Sequence, residues 1–224
     1  VEKFGYQTDV PNGDIATVWD GTGLYDYLTT ATTVTVTSDD PDDNPVGSGA
    51  RSVEVDGLDQ DNLPVQEIVD LGGTSITTFI RVFRVRVCQS GGENPNQGVI
   101  TVAGGGKTLA IIDKLANNAV GHGQTNMAIY TVPAGKTAYL TQWTVSSGKQ
   151  NSDTVAKLMA RDTYHPDDGA WNVKDIVEIQ ATSFNKEYRV PLQFTEKTDI
   201  EIRAFSNTGS SCTSTFNLIL IDNV

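Results

Sequence analysis

The sequence feature closest to a known chemical motif is a glycine-rich turn, Gly104–Thr108, which ends in Gly-Lys-Thr. A phosphate-binding loop with this ending needs its first glycine at position 101, where this chain has Thr. It also needs a following helix that points its backbone amides at the phosphate, and no helical pattern follows Thr108. The segment therefore predicts a turn between two strands, and nucleotide binding is rejected.

Two acidic loops, Asp39–Asp43 and Asp56–Asn62, place several oxygen ligands close together, as calcium sites do. Neither loop has the EF-hand spacing, because the glycine at the sixth position and the terminal Glu are missing. Asp and Asn are equally common in solvated turns, where they accept hydrogen bonds from the backbone. We expect no cofactor and no metal, and calcium at these loops stays open as an alternative.

The residues of classical catalytic sites are scarce and poorly spaced. His122 and His165 are the only histidines and Cys88 and Cys212 the only cysteines, without the paired spacing of a zinc site. We expect exposed loop histidines and buried thiols, and the sequence leaves open whether the thiols pair. Gly47–Gly49 lacks the spacing of a nucleophile elbow, and a glycosidase carboxylate pair cannot be chosen among 28 acidic residues. The prediction is that the chain is not an enzyme.

Large aromatic residues are the remaining candidates for binding. Trp19, Trp143 and Trp171, with Tyr139 and Tyr164, could stack against a sugar or a protein partner. Aromatic side chains in strands bury large areas and belong more often to the core. Both interpretations stay open at this stage.

The clearest structural signal is the turn Pro133–Lys136, between the strand-like runs Met127–Val132 and Thr137–Ser146. Proline presets φ and the glycine of the turn permits positive φ, so four residues can reverse the chain. The pattern predicts a β-hairpin. Strict alternation after the turn would place Tyr139 and Trp143 on one face, in the core or at a subunit interface.

Alternating apolar and polar residues, separated by turn signals, predict about a dozen strands and no long helix. The fold class predicted is all-β, a β-sandwich with jelly-roll topology preferred. The last strand, Thr215–Ile221, is apolar on both faces and is predicted to be central and covered on both sides. The other predicted strands are 30–37, 51–57, 64–71, 77–89, 99–103, 108–113, 154–162, 170–180, 187–194 and 198–205.

The predicted domain organisation is an extended N-terminal arm, 1–28, followed by a β-sandwich, 29–224. The sandwich could consist of two packed β halves divided near 114–126, where the sequence is rich in Asn and Gly. The aromatic residues of the arm need a surface to pack on, which could be the protein's own core or a neighbouring subunit.

Charge and hydropathy narrow the range of partners. The 224 residues carry a net charge of −12, which opposes the phosphate backbone, so nucleic acid is not an expected partner. No window reaches the roughly 18 apolar residues that a membrane helix needs, so no membrane partner is expected.

Seven segments, in order along the chain, resemble a family of tailed-bacteriophage virion structural proteins that is common in marine phages. The order carries the resemblance, because single pieces such as the Val-Pro-Ala-Gly-Lys turn also occur in unrelated β-proteins. The segments are Phe4–Asp9, Thr17–Gly21, Gly49–Asp59, Phe79–Arg84, Ala128–Leu140, Glu196–Arg203 and Phe216–Asp222.

The resemblance implies a non-enzymatic component of the virion, most simply a capsid decoration or cement protein on the capsid surface. Its expected partners are the major capsid protein, or other virion proteins, and further copies of itself in a trimer. The alternative is a carbohydrate-binding or receptor-binding β-sandwich module of a tail or fibre protein. The predicted interface residues are Phe4, Tyr6, Trp19, Tyr25, Tyr27 and Lys136.

Overall fold

The computed structural model describes residues 1–114, 120–162 and 169–223, and this part of the chain contains β-strands and no helix. The all-β prediction is confirmed. The strands are β1 (Glu2–Val10), β2 (Ile15–Thr17), β3 (Thr35–Ser38), β4 (Ala50–Leu58), β5 (Pro64–Asp70), β6 (Arg81–Ser90), β7 (Ile100–Gly104), β8 (Lys107–Ile112), β9 (Ile129–Thr131), β10 (Lys136–Ser147), β11 (Thr154–Arg161), β12 (Asn172–Ile179), β13 (Ser183–Phe194), β14 (Asp199–Ser206) and β15 (Ser210–Asp222).

The chain divides into two compact units. Unit 1 comprises Val1–Tyr25 and Met127–Val224, and unit 2 comprises Asp26–Asn126. Most of the segment predicted as an N-terminal arm belongs to unit 1, where β1 pairs with β15 and β2 pairs with β14, both antiparallel. Strands β1 and β2 of this segment are therefore part of the sheets of unit 1.

Unit 1 contains two antiparallel sheets, consistent with a β-sandwich. One has the strand order β1-β15-β10-β13, and the other has the order β12-β11-β14-β2, with β9 also paired to β14. Each sheet buries one row of large apolar side chains, because alternate residues of a strand point to the same face. Trp143 and Phe216 of the first sheet and Leu158, Ile200 and Ile202 of the second are fully buried. Jelly-roll topology stays a prediction.

The predicted hairpin around Pro133–Lys136 is wrong, although its turn is present. The Lys136 N–H donates to the Pro133 carbonyl at 3.2 Å, and Gly135 has a φ of 72°. However, β9 pairs with β14, whereas β10 pairs with β13 and β15. The turn therefore carries the chain from one sheet of unit 1 to the other.

The predicted common face of Tyr139 and Trp143 is also wrong. The register of β10 shifts between Leu140 and Gln142 against both neighbouring strands, which marks a β-bulge. An extra residue reverses the alternation, so the buried row runs through Leu140 and continues at Trp143. Tyr139 consequently lies on the opposite face from Trp143.

Strand β15 is central, as predicted, because it pairs with β1 on one side and β10 on the other. It is not covered on both sides. Phe216 and Leu218 are buried, whereas Ile219 and Ile221 are 54% and 52% exposed. An apolar run on both faces therefore did not imply a second covering layer.

Unit 2 contains two three-stranded antiparallel sheets, ordered β3-β7-β8 and β5-β4-β6. Strands β4 and β5 are antiparallel neighbours, and Val53 and Val55 of β4 are fully buried. Register shifts between β4 and β6 mark β-bulges in this pair of strands. The β7–β8 turn places Gly105 and Gly106 at positive φ, which confirms a turn at the Gly-Lys-Thr segment.

Candidate binding face

The outer face of the four-stranded sheet of unit 1 presents alternate residues of β1 to solvent. Lys3 and Gln7 point inward and are 3% and 4% exposed, so Phe4 and Tyr6 lie on the outer side, where both are half-buried. The β1–β15 register places Phe4 opposite Thr215 and Tyr6 opposite Thr213. Two of the predicted interface residues thus lie side by side on one face.

Hydroxyl and amide side chains continue this face across β15, β10 and β13. The registers align Thr215 with Thr144 and Asn185, and the neighbouring row aligns Thr213 with Ser146 and Ser183. A groove of about 280 Å³ runs over these rows. We call this surface the hydroxyl-amide face, which comprises Phe4, Tyr6, Gln142, Thr144, Ser146, Ser183, Asn185, Thr213, Thr215 and Asn217. Two glutamates border it, Glu2 opposite Asn217 on β1 and Glu187 opposite Gln142 on β13.

Hydrogen bonds between side chains fix the polar groups of the hydroxyl-amide face. Asn217 Nδ2 donates to Gln142 Oε1 at 2.9 Å, and Gln142 Nε2 donates to Asn185 Oδ1 at 3.1 Å. In the row that aligns Thr213 with Ser146, the hydroxyls of these two residues are also hydrogen-bonded to each other. These bonds hold the side chains in one arrangement, which reduces the entropy lost when a ligand binds.

The groove is anchored to the core from below. Trp143 Nε1 donates to Ser214 Oγ at 3.1 Å, and the Ser214 hydroxyl donates to the Thr144 carbonyl at 2.7 Å. The Trp143 ring also contacts Phe184 edge to face, with the ring centroids 5.7 Å apart. A fully buried indole therefore supports the backbone that forms the floor of the groove.

The remaining predicted interface residues occupy other positions. Trp19 and Tyr25 are buried in unit 1, where their rings meet edge to face with centroids 5.0 Å apart. Tyr27 is buried in unit 2. Lys136 forms an ion pair with Asp222 across β10 and β15. Only Phe4 and Tyr6 belong to the hydroxyl-amide face.

A cluster of charged residues lies on the five-stranded sheet of unit 1. Asp199 and Glu201 are fully buried and paired with arginines, Arg161 at 2.6 Å from Asp199 and Arg203 beside Glu201. The two guanidinium groups lie 4.8 and 4.5 Å from the centre of the Trp171 ring. The cluster neutralises its own charge inside the fold, and Trp171 covers it through cation–π contacts.

The acidic loop 39–44 is organised around the Asp43 carboxylate. Asp43 is 6% exposed, and its two oxygens accept four hydrogen bonds, from Ser38 Oγ and from the backbone N–H groups of Ala50, Gln97 and Gly98. These donors occupy the lone pairs that a calcium ion would use. Within residues 1–114, 120–162 and 169–223, no three His, Cys, Asp or Glu side chains form a group that could hold a metal ion.

The other candidates for chemistry have structural contacts. Lys107, of the Gly-Lys-Thr turn, donates to Asp26 at 2.7 Å and to the Tyr27 carbonyl at 2.6 Å. His122 Nδ1 is 2.9 Å from Asn126 Nδ2, a hydrogen bond within the loop. The predicted residues Tyr164 and His165 lie outside the described part of the chain.

Both cysteines are free thiols, and only one is buried. Cys212 is 1% exposed, and burial raises its pKa to about 12. Cys88 is exposed, with its sulfur 3.1 Å from the Ser52 hydroxyl, so the prediction of two buried thiols is wrong for Cys88. In the described ranges, no helix is long and apolar enough to cross a membrane.

Comparisons with known proteins find no related family and a weakly similar structure. No protein-family model matches the chain, and no curated protein matches it. A solved structure of infectious bursal disease virus, Gx strain, matches at 10% identity over 96% of this chain and 70% of that chain. Its TM-score is 0.21, too low to support an argument about fold or role.

Proposed function

We propose that this chain is a non-enzymatic structural component of a bacteriophage virion, most simply a capsid decoration protein. In that role it assembles with further copies of itself, as a trimer, and binds the major capsid protein at the capsid surface. The observation that carries the proposal is the ordered set of segments, from Phe4 to Asp222, that resembles tailed-phage virion proteins.

The position of these segments in the fold supports the proposal. Segment Ala128–Leu140 spans β9, the turn between the sheets and the start of β10, Glu196–Arg203 covers most of β14, and Phe216–Asp222 ends β15. They therefore build both sheets of unit 1. A resemblance confined to one turn would indicate only a shared local conformation. A resemblance distributed over paired strands supports a shared arrangement of both sheets.

The use of the charged residues supports a structural role. The groups in the described ranges that invite a chemical interpretation, namely Asp43, Lys107, Asp199 and Glu201, are engaged in hydrogen bonds or ion pairs that hold loops and strands together. The net charge of −12 also favours solubility, and it favours binding to a neutral or basic protein surface.

The test is to find the chain in the particles of the phage that encodes it. Mass spectrometry of purified virions should detect it at high copy number, and cryo-electron microscopy should show two all-β units on the capsid exterior. Sedimentation velocity of the purified chain should show self-association. If the chain is absent from particles and stays monomeric in solution, the proposal fails.

A further inference from the structure

We infer that the hydroxyl-amide face is a binding site for a neutral polysaccharide. This activity goes beyond a structural role in a virion and does not depend on it. The inference comes from the combination of paired hydroxyl and amide groups, two aromatic side chains beside them, and a groove lined without charged residues.

The polar groups of the face match the hydrogen-bonding chemistry of a sugar. A sugar hydroxyl both donates and accepts, so its complement is a surface that offers both functions close together. The amide ladder uses Asn217 as a donor and Asn185 as an acceptor towards Gln142. This leaves the Asn217 oxygen as an acceptor at one end of the ladder and the Asn185 nitrogen as a donor at the other.

The aromatic side chains give the face its apolar component. Phe4 and Tyr6 are two positions apart on β1, so they lie about 6.8 Å apart along the strand, on the edge strand next to the groove. The π face of an aromatic ring is negative and attracts the polarised C–H groups of a pyranose ring. The groove volume of about 280 Å³ is near the lower end of the range for small-ligand sites and suits one or two sugar units.

Charge selects a neutral glycan over an acidic one. The groove is lined by residues 144–146, 183–185 and 213–215, all uncharged, in a chain of net charge −12. A sialylated or sulfated glycan would meet an acidic protein without a cation in the groove to bind it. A neutral glycan is not repelled by the negative charge of the protein.

A second copy of the chain fits this part of the sheet less well. The centre of a homodimer interface is about 65% apolar, whereas the groove is lined mainly by Thr, Ser and Asn. The exposed apolar residues of β15, Ile219 and Ile221, lie towards the other end of the strand from Thr213 and Thr215. The hydroxyl-amide face therefore suits a polar ligand better than a second copy of the chain.

The test uses the full chain and two matched charge variants. The chain is screened on an array of neutral gluco-, manno- and galacto-oligosaccharides with sialylated and sulfated members, and the best ligand is titrated by calorimetry. Thr213→Lys places a long cationic side chain in the groove at an exposed position. Ile76→Lys adds the same charge in unit 2, at a residue that is 92% exposed.

We expect binding to a neutral oligosaccharide that is lost in Thr213→Lys and unchanged in Ile76→Lys. Tyr6→Ala should weaken binding about tenfold, because one aromatic contact is removed. Circular dichroism and tryptophan fluorescence, to which the buried Trp143 beneath the groove contributes, check that each variant is folded. The inference would be overturned if the folded wild-type chain bound no glycan on the array, or bound acidic glycans alone. It would also be overturned if Thr213→Lys bound the neutral oligosaccharide as tightly as the wild type. A dimer of the wild-type chain that Thr213→Lys abolishes would overturn it too.

Discussion

Asp43 is the acidic residue whose replacement should most disturb unit 2. Its Oδ1 atom accepts from the backbone N–H groups of Ala50 at 2.7 Å and Gln97 at 2.9 Å. Its Oδ2 atom accepts from Ser38 Oγ at 2.7 Å and the Gly98 N–H at 2.8 Å. One carboxylate thus joins the end of β3, the start of β4 and the segment before β7.

The two substitutions Asp43→Ala and Asp43→Asn should differ in cost. Alanine leaves three backbone N–H groups without their acceptor, so we expect the free energy of unfolding to fall by about 4 kcal/mol or more. Asparagine can place its nitrogen where Oδ2 was, because the Ser38 hydroxyl can turn and accept from it. Only the Gly98 N–H then loses its acceptor, and the expected loss is about 2 kcal/mol.

The assay has to report on unit 2 alone. Trp19, Trp143 and Trp171 all belong to unit 1, so tryptophan fluorescence does not observe unit 2 directly. Hydrogen exchange of peptides covering residues 39–50 and 97–104 measures the opening of the joined segments. The matched control is Asp42→Asn, which makes the same charge change at an exposed position of the loop and should alter stability by less than about 0.5 kcal/mol.

Calcium provides the result that would refute this reasoning. If the four donors fill the coordination sphere of Asp43, added calcium should leave exchange in both segments unchanged, in the wild type and in Asp43→Asn alike. If calcium instead protects the wild-type segments and Asp43→Asn abolishes that protection, the carboxylate is a metal ligand. Equal exchange in Asp43→Asn and Asp42→Asn would show that the hydrogen bonds do not hold the segments together.

Two further predictions concern ionisable groups. Burial raises the pKa of Asp175, but hydrogen bonds from Lys186 at 2.6 Å and Tyr188 at 2.6 Å outweigh it and leave the pKa below its usual value. The stability that Asp175 contributes is therefore present above the usual pKa of Asp and is lost as the pH falls through the lowered pKa. When the free energy of unfolding is measured at decreasing pH, the values of Asp175→Asn and the wild type should therefore converge. A thiol reagent should modify Cys88 in the native chain and reach Cys212 only after unfolding, because Cys212 is buried; immediate reaction of both would contradict the structure.

Strand positions in unit 2 could be predicted because their signals are local. In β4, Val53 and Val55 alternate with polar residues, and β5 follows after a short turn, so period and partner come from the same stretch of sequence. The bulge of β10 could not be predicted in this way. Thr141 fits a strand of either register, and the buried row continues at Trp143 because β15 and β13 both shift against β10 at this point.

The hydroxyl-amide face was missed because no single segment contains it. Tyr6, Ser146, Asn185 and Thr213 come from four strands that are far apart in sequence, and only the order β1-β15-β10-β13 brings them together. The local signal was present in the alternating polar residues of β10 and β15, which indicate a solvated face. It could not indicate which solvated faces would be adjacent.

The turn Pro133–Lys136 shows why correct turn chemistry led to a wrong hairpin. Proline and glycine determine that the chain reverses, but they do not determine which strand the next segment joins. Distant residues hold the turn, since the Gly135 N–H donates to Glu196 Oε2 at 2.6 Å and the Asn223 N–H donates to the Gly135 carbonyl at 2.9 Å. Because these partners flank β14 and β15, the turn is fixed by the ends of the strands that receive β9 and β10. The decision between a hairpin and a passage from sheet to sheet therefore lies in contacts more than 60 residues away, outside any local pattern.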